Sequence, residues 1–315
     1  MSDPTVRAEV TDATSKPERP TEPAAHAALL AVQVFFSTLP IAAKYHVLPH
    51  LPSAGLVMMR VLGGAVVLLA IARARGGAAI LDRRDLKKIA VYALLGVTIN
   101  QLLFIEGLSR TTAINAQVIG TTIPAFTLGF GVMLGVDRLS WTRVVGILLA
   151  AAGAVYLVGP DRIELTPDTT IGNTMIVFNA LAYSLYLVLV KPILGKYDSI
   201  SVIAWVFLFG TIGVLPFGAT SLVRSGALAT MPLSAWAAVA FIILVPTVGS
   251  YWLNAWALKR SAPSVVATYV YIQPLLTGVL AVLVQGEPID PRAIPSAALI
   301  FAGVALTTRR QAAAS

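Results

Sequence analysis

The 315-residue sequence contains no cysteine, and only 12% of its residues are charged. The absence of cysteine excludes disulfides, thiolate catalysis and metal sites built from thiolates. Soluble globular proteins carry about 25% charged residues, so this chain has too little polar surface to cover a water-facing globule. With 57% hydrophobic residues, its composition is typical of an integral membrane protein.

Groups that support catalysis are also scarce. The three histidines, His26, His46 and His50, lie in loops or at the ends of apolar runs. Pro49 precedes the last of them and disturbs the helical spacing that a pair of metal ligands needs. No two acidic residues are placed to work together inside the apolar runs, and no soluble segment contains a glycine-rich phosphate loop. The sequence therefore predicts no enzyme, no metal site and no cofactor.

The two termini differ from the rest of the chain. Residues 1–26 contain four prolines, mixed charges and no apolar run. They lack the basic start and the apolar core of a secretory signal. We interpret residues 1–26 as a disordered cytoplasmic tail and residues 309–315 as a short cytoplasmic tail at the C-terminus.

Apolar runs occupy most of the sequence between these tails. A helix that crosses the hydrocarbon core of a bilayer needs about 20 apolar residues. Charges, prolines and turn residues divide the chain into ten runs of roughly this length: 27–44, 54–72, 88–108, 112–134, 140–158, 171–190, 200–222, 234–257, 263–285 and 293–308. The predicted fold class is an all-α integral membrane protein with ten transmembrane helices.

The net charge of +8 does not indicate binding to nucleic acid, because the basic residues lie in short clusters between apolar runs. These clusters instead predict orientation, since the cytoplasmic loops of membrane proteins are enriched in lysine and arginine. If the N-terminus is cytoplasmic, seventeen basic residues fall in cytoplasmic segments and five in external segments. The sequence therefore predicts a multi-pass protein with both termini in the cytoplasm.

The two halves of the chain share features at a fixed spacing. A shift of 150 positions aligns Pro124 with Pro274, Thr127 with Thr277, Asp137 with Glu287, and Gly153 with Gly303. Each half holds five predicted spans, so the second half enters the membrane from the opposite side. We predict two inverted five-helix repeats, at 27–158 and 171–308, an arrangement found in many secondary transporters.

Two segments resemble a known family. Residues 100–159 include the stretch IPAFTLGFGVMLGVDRLS, and residues 269–310 include QPLLTGVLAVLVQGEPID. Both are similar to the conserved blocks of EamA-type transporters of the drug/metabolite transporter superfamily. The first block has Gly135-Val136-Asp137-Arg138 where the family usually has Gly-Glu-Arg. The resemblance implies ten helices in two inverted repeats, a central cavity and the export of small metabolites.

Polar residues inside the predicted spans recur at helical spacing, which places them on one face of each helix. Polar groups within a bilayer are costly and often functional, so we expect these faces to line a substrate cavity. The predicted substrate-binding residues are Gln33, Ser37, Asn100, Gln101, Gln117, Thr121, Asn179, Tyr183, Tyr186, Tyr251, Asn254, Tyr269 and Gln273. The alternative is that they form hydrogen bonds between helices and hold the bundle together.

Three charged residues and two prolines are predicted to act in gating, coupling or hinge motion. Lys44, Arg60 and Glu106 lie near the external ends of their spans, with Arg60 about 9 Å deep. One hypothesis is that Glu106 pairs with Arg60 or Lys44 in an outer gate, or takes up a proton; the alternative for the basic residues is snorkelling to the headgroups. Pro124 and Pro274 occupy equivalent mid-span positions and are predicted hinges.

These features predict a secondary transporter that exports amino acids or related amphipathic and aromatic metabolites by alternating access. An importer or antiporter of phosphorylated or nucleotide-linked metabolites is one alternative, and a non-transporting membrane receptor or assembly subunit is another. The expected partners are a small-molecule substrate, the lipid bilayer and a coupling ion, most often a proton, with no nucleic acid. We expect a monomer or a weak homodimer in the inner membrane of a bacterium.

Overall fold

The computed structural model of the protein describes residues 23–77, 82–285 and 290–308. Most of the predicted N-terminal tail and all of the predicted C-terminal tail lie outside these ranges. The boundary predicted at residue 26 is wrong, because the first helix already begins at Pro23. Proline suits a helix start, since the first turn has no intrahelical use for its missing N–H group.

The described residues form helices and no strand, and a helix occupies each of the ten predicted runs. We label them in chain order: α1, Pro23–Ala42; α2, Ser53–Ala74; α3, Arg83–Arg110; α4, Ala113–Gly120 continued by Ile123–Met133; α5, Trp141–Val158; α6, Pro167–Lys196; α7, Ser199–Ser225; α8, Leu233–Arg260; α9, Pro263–Thr268 continued through Tyr269–Ile272 and Gln273–Gln285; and α10, Ala293–Thr308.

Eight of these helices, α2 to α9, are long and apolar enough to cross a membrane within the described ranges. Two apolar helices are shorter over their described side chains, Pro23–Leu39 in α1 and Ala293–Thr308 in α10. The protein is therefore an all-helical chain with eight candidate membrane spans and two shorter apolar helices.

Several helix starts are fixed by a side-chain cap. The Thr166 hydroxyl accepts a hydrogen bond from the backbone N–H of Thr169 at the start of α6, and Pro167 occupies the first turn. The Asp198 carboxylate accepts one from Ser201 at the start of α7. Such caps satisfy N–H groups that the first turn of a helix leaves without a partner, so they determine where each helix begins.

Four helices are interrupted near their centres. Wider π-helical turns occur at Leu94–Ile99 in α3 and at Ile243–Gly249 in α8. Thr121 and Thr122 break α4, and the tighter 3₁₀ turn Tyr269–Ile272 breaks α9. Irregular turns of this kind are frequent at functional sites. Each of the four includes a predicted substrate-binding residue or lies within two residues of one.

Helix packing follows one pattern in both halves of the chain. The most extensive contacts are between α2 and α7 and between α5 and α10. Helix α1 packs on α8 and α9, and correspondingly α6 packs on α3 and α4; α4 also packs on α9. Exchanging each helix with the one five places along the chain reproduces these principal contacts.

The connections gather at two ends of the bundle. We call the end that holds residues 48–52, 111–112, 159–166 and 226–232 the Arg110 end. The opposite end, with residues 75–77, 134–140, 197–198 and 261–262, is the Asp137 end. At the Arg110 end, ion pairs join Arg292 to Asp161 at 2.9 Å and Arg162 to Asp290 at 3.2 Å. They connect the loop after α5 to the segment before α10.

Candidate functional site

The helices enclose a cavity of about 230 Å³ between the centre of the bundle and the Arg110 end. Eleven of the thirteen predicted substrate-binding residues line it: Gln33, Ser37, Asn100, Gln101, Gln117, Thr121, Asn179, Tyr183, Tyr251, Asn254 and Gln273. They come from α1, α3, α4, α6, α8 and α9, so both halves of the chain contribute. Their role in binding a substrate stays a prediction.

Several of these side chains also connect helices. Gln273 donates a hydrogen bond to Gln33 at 2.8 Å, which joins α9 to α1. Asn254 donates to the Tyr183 hydroxyl at 3.2 Å, and Asn179 donates to a backbone carbonyl of α3 at 2.8 Å. The alternative reading of the polar residues as interhelical contacts therefore holds for part of the set. One side chain can serve both purposes.

Two side chains that line the cavity form no described hydrogen bond between helices. The side chains of Asn100 and Gln117 border the cavity, and no hydrogen-bond partner is described for either of them among the described residues. Both residues are partly exposed. Their amide groups are therefore available to a solute, because using them breaks no described contact between helices.

Arg60 is the basic residue of the cavity wall. It is buried, with 2% of its surface exposed. Its Nη1 donates to Gln101 at 3.0 Å and its Nε donates to Thr247 at 3.2 Å. The Gln101 amide nitrogen in turn donates to the Tyr251 hydroxyl at 2.5 Å. This hydrogen-bonded chain runs from α8 through α2 and α3 and back to α8.

Tyr186 and Tyr269 do not line the cavity. Tyr186 is buried and packs on the backbone of Gly96, where an added Cβ atom would lie 2.4 Å from its ring. Glycine is needed there because the π-helical turn of α3 meets the ring directly. Tyr269 forms a hydrogen bond with His26 of α1. Helical spacing alone did not separate these two tyrosines from those of the wall.

The predicted pairing of Glu106 with Arg60 is wrong. Glu106 is on the exposed surface at the end of α3 and accepts a hydrogen bond from Arg110 at 2.8 Å, one turn further along the same helix. The side chain of Lys44 lies outside the described part of the structure, and its backbone belongs to a π-helical turn that follows α1. A part for Glu106 in coupling stays a prediction.

Both predicted hinge prolines stand where a new helical segment begins. Pro124 follows the break in α4, and Pro274 follows the 3₁₀ turn in α9. Pro274 also lines the cavity. A proline cannot donate to the preceding turn, which explains why the helices are irregular just before these positions. Motion at these points stays a prediction.

Sequence reasoning predicted Tyr183 and Tyr251 but missed the other aromatic residues of the wall. Phe36, Phe104 and Tyr271 border the cavity, and Tyr271 donates a hydrogen bond to the Thr121 carbonyl at 2.9 Å. The two phenylalanines carry no polar group that distinguishes them from lipid-facing residues. Tyr271 gave a usable signal, because it lies only two residues from the predicted Gln273.

At the Asp137 end the bundle is closed by buried polar contacts. The Asp137 carboxylate, which has no exposed surface, pairs with Arg143 and accepts a backbone hydrogen bond from Ser264 at 3.2 Å. The contact with Ser264 joins the loop after α4 to the first turn of α9. Lys191 donates to the carbonyls of Leu258 and Ser261 at 2.5 Å each. Together these contacts fasten α6, α8 and α9 to one another and to the first half of the chain.

No group of three or more potential metal-ligating side chains occurs among residues 23–77, 82–285 and 290–308. The polar groups of the cavity are amides, hydroxyls and one guanidinium. This set suits hydrogen bonding to an organic solute.

The family model of the EamA-like transporter family matches residues 24–159 and again residues 170–309. The chain belongs to the EamA-like transporter family. It is a multi-pass membrane transporter and not an enzyme, and a transporter of this kind acts on small molecules within the lipid bilayer.

Relatives of this EamA protein are described as transporters. An uncharacterized transporter of Archaeoglobus fulgidus is 30% identical over 224 residues, which cover 71% of this chain and 76% of the relative. A protein of Streptantibioticus cattleyicolor named as a probable terminal-alkyne amino-acid exporter is 28% identical over 82% of this chain and 84% of its own length. A solved crystal structure at 20% identity covers 90% of this chain and 96% of that one with a TM-score of 0.74, so it shares the fold.

Proposed function

We propose that this EamA protein is a secondary transporter that exports small amphipathic metabolites, amino acids among them, by alternating access. The observation that carries the proposal is the cavity of about 230 Å³, which has polar and aromatic walls from both halves of the chain. Pockets for drug-sized ligands have volumes of about 300–1,000 Å³. The volume here favours a solute smaller than these.

The proposed architecture is ten spans in two inverted five-helix repeats, at 27–158 and 171–308. Helix α1 has 20 residues, which at about 1.5 Å per residue matches a hydrocarbon core of about 30 Å. The shorter α10 packs closely on α5. The two separate matches to the family model and the exchangeable pattern of helix contacts both support the repeat.

In the proposed orientation both termini and the Asp137 end face the cytoplasm, because most of the lysine and arginine residues then lie inside. The cavity then lies toward the external side, and the contacts of Asp137 and Lys191 close the cytoplasmic side. This is the conformation from which an exporter releases its substrate. Pro124 and Pro274 are the proposed hinges for the change to the opposite conformation.

The substrate class rests on two further observations. The aromatic side chains Phe36, Phe104, Tyr183, Tyr251 and Tyr271 provide apolar surface beside the amides. A relative that covers most of this chain is named as an exporter of an amino acid. Amphipathic solutes with an apolar body fit such a wall.

The alternatives have less support. Arg60 is the basic residue of the described wall, and a phosphorylated or nucleotide-linked metabolite carries two or more negative charges. A receptor or an assembly subunit has no need of a cavity lined by hydrogen-bonding groups that are left without partners. For the coupling ion we retain the proton, although the described wall contains no carboxylate to carry it.

The test is to compare the metabolites in spent medium from cells that overexpress the chain with those from an empty vector. A double variant, Asn100→Ala with Gln117→Ala, removes two lining amides without breaking a described hydrogen bond. Ser225→Ala, at an exposed helix end, is the matched control. We expect a small set of amphipathic metabolites to accumulate with wild type and control and to fall severalfold with the double variant.

Other results would contradict the proposal in distinct ways. Depletion of a metabolite from the medium would indicate an importer. If neither the medium nor vesicles loaded with amphipathic metabolites differed from the empty vector, a non-transporting role would replace transport.

A further inference from the structure

Arg60 is a buried cation without a counter-ion. No acidic side chain lies within ion-pairing distance of it in the part of the chain that the structure describes. Its described hydrogen bonds use Nε and Nη1, and both acceptors, on Thr247 and Gln101, are neutral. The Nη2 nitrogen has no described acceptor. The guanidinium borders the cavity, so its unused donor belongs to the cavity wall.

A role in holding helices together does not explain why residue 60 is a charged arginine. A charged side chain within the bilayer costs free energy unless it is paired. A glutamine could donate to Gln101 and Thr247 without that cost. By contrast, the buried carboxylate of Asp137 is paired with Arg143. The positive charge at Arg60 therefore serves a partner that the protein itself does not supply.

The other residues of the cavity wall indicate which kind of solute could bind beside Arg60. The described lining residues include no aspartate or glutamate, so the cavity carries a net positive charge and disfavours cationic solutes. Around the guanidinium the wall is formed by amides, hydroxyls and aromatic or aliphatic side chains. A solute that fits this wall has one negative group and an apolar body.

We infer that Arg60 is the receptor for the carboxylate of the transported solute, and that the substrate is a small amphipathic monocarboxylate. The inference rests on the proposed function and specifies its substrate class. A guanidinium can bind a carboxylate through two parallel hydrogen bonds. Nη2 supplies one donor directly, and Nη1 supplies the second when the carboxylate replaces Gln101 as its acceptor.

A phosphate monoester is the other oxyanion that a guanidinium recognises, and the structure favours the carboxylate. A phosphate monoester carries nearly two negative charges at neutral pH, while the described wall offers one positive charge. A carboxylate balances that charge, whereas a phosphate leaves a surplus negative charge in a low-dielectric site. The experiment includes both groups.

The absence of cysteine allows a test that requires no knowledge of the natural substrate. Gln117→Cys places a single thiol on the partly exposed cavity wall. The purified protein is treated with a sulfonate-bearing thiosulfonate reagent, which is an anion, and with a trimethylammonium analogue, which is a cation. We expect Arg60→Gln to lower the anion-to-cation ratio of reaction rates about tenfold, because it removes one unit charge from the wall of the same cavity.

Two further variants control this measurement. Arg60→Lys keeps the charge and should keep most of the rate ratio. Arg110→Gln removes a basic residue at the same end of the bundle that is paired with Glu106 outside the cavity, and should leave the ratio unchanged. Monodispersity in size-exclusion chromatography confirms that each variant is folded.

A second arm uses the Gln117→Cys protein with Arg60 intact, and with Arg60→Lys for comparison. Monocarboxylates from acetate to phenylpropionate, each beside its amide, and phenyl phosphate are tested for protection of the introduced thiol. We expect at least one acid to protect at a concentration about tenfold lower than its amide, and the lysine variant to retain that preference.

Four results would overturn the inference: a rate ratio that Arg60→Gln leaves unchanged, acids that protect no better than their amides, phenyl phosphate that protects better than every acid, or a thiol inert to both reagents. Neither arm involves transport. If the cavity is charge-selective but the protein exports nothing, only the proposed function is refuted. If the protein exports neutral solutes and the cavity shows no charge selectivity, only the inference that Arg60 binds a carboxylate is refuted.

Discussion

Arg60 and Asp137 are both buried ionisable residues, and their charges are balanced in different ways. Asp137 has its counter-ion in Arg143 and a backbone donor in Ser264. Arg60 has neutral neighbours among the described residues. The first arrangement fastens two parts of the chain, and the second keeps a charge available. Burial alone does not distinguish a charge that fastens two parts of the chain from a charge that is kept available. The hydrogen-bond and ion-pair partners of each side chain do distinguish them.

Removing the charge of Asp137 should destabilise the closed Asp137 end. Asp137→Asn removes the carboxylate charge from the buried pair with Arg143, and breaking such a pair from one side costs about 3–5 kcal/mol. The matched control is Glu106→Gln, because Glu106 forms an exposed ion pair of a kind that contributes at most about 1 kcal/mol. Thermal unfolding monitored by size-exclusion chromatography measures both.

Equal losses of stability for the two variants would contradict this account of Asp137. The control also tests the coupling role of Glu106. Because its carboxylate is exposed and paired with Arg110, we expect Glu106→Gln to transport within about twofold of wild type between pH 6 and 8. A lost pH dependence would restore Glu106 as a proton carrier.

At this scale the sequence predicted the cavity wall better than it predicted the charge pairs. Residues three and four positions apart share a helix face, which is why most of the polar stripe residues border the cavity. The pairing of Glu106 was mispredicted although the signal was present, since Arg110 lies four positions further on, an arrangement that favours a pair within one helix. The partners of Arg60 depend on how α2, α3 and α8 are placed relative to one another. The spacing of residues along a single helix does not predict this placement.

Among the elements, α5 and α10 pack with their backbones in direct contact. A Cβ atom added at Gly303 would lie 2.4 Å from the carbonyl oxygen of Gly146, and one added at Gly146 would lie 2.7 Å from the carbonyl oxygen of Gly303. Small residues allow this approach, which replaces hydrophobic burial as the source of helix association within a bilayer.

Gly303→Ala should therefore separate α5 from α10. The added methyl group meets backbone atoms, which cannot rotate away as a flexible side chain does, and overpacking of this kind costs about 1–3 kcal/mol. Gly129→Ala in α4 is the matched control, because an added Cβ atom there meets nothing within 4 Å. Melting temperatures in detergent check the prediction, and a control that melts as early as Gly303→Ala would refute it.

The ion pairs at the Arg110 end predict a defined pH response. The hydrogen bond from Arg292 lowers the pKa of Asp161 below its ordinary value of 3.8. A lowered pKa means that the stabilisation is present above the ordinary pKa and is lost as the pH falls through the lowered one. The difference in melting temperature between wild type and Asp161→Asn should stay constant from pH 8 to 5 and shrink below about pH 4.

The control for this pH response is the same substitution in an Arg292→Gln background. Without the guanidinium, Asp161→Asn should have little effect at any pH. A difference that disappears already between pH 7 and 5 would exclude Asp161 as the titrating group.

The positions of the helices were predictable, and their internal irregularities were not. Apolar runs and breaker residues locate the ends of the ten labelled helices to within six residues, since a bilayer demands long apolar segments. The π-helical turns of α3 and α8 depend on contacts with other helices. For α3 the contact is the ring of Tyr186 against Gly96, a pairing that a single-helix pattern does not contain.

For the whole molecule, the orientation in the membrane follows from charge and can be checked with single cysteines. Ser225→Cys and Thr142→Cys place thiols at exposed positions of the Arg110 end and the Asp137 end respectively. In intact cells an impermeant maleimide should label the first and reach the second only after permeabilisation. The opposite pattern would invert the proposed topology and make the cavity face the cytoplasm.

The proposed inverted repeat has a consequence for the energetics of the proposed transport cycle. In such a cycle, interactions that recur in both halves contribute equally to the inward-facing and the outward-facing conformer, so they cancel in the free-energy difference between them. What remains comes from positions where the halves differ, such as Arg60, which has Phe207 as its counterpart 147 positions later. Under this proposal, asymmetric residues of this kind set the resting conformation, and exchanging one of them shifts the balance between the two conformers.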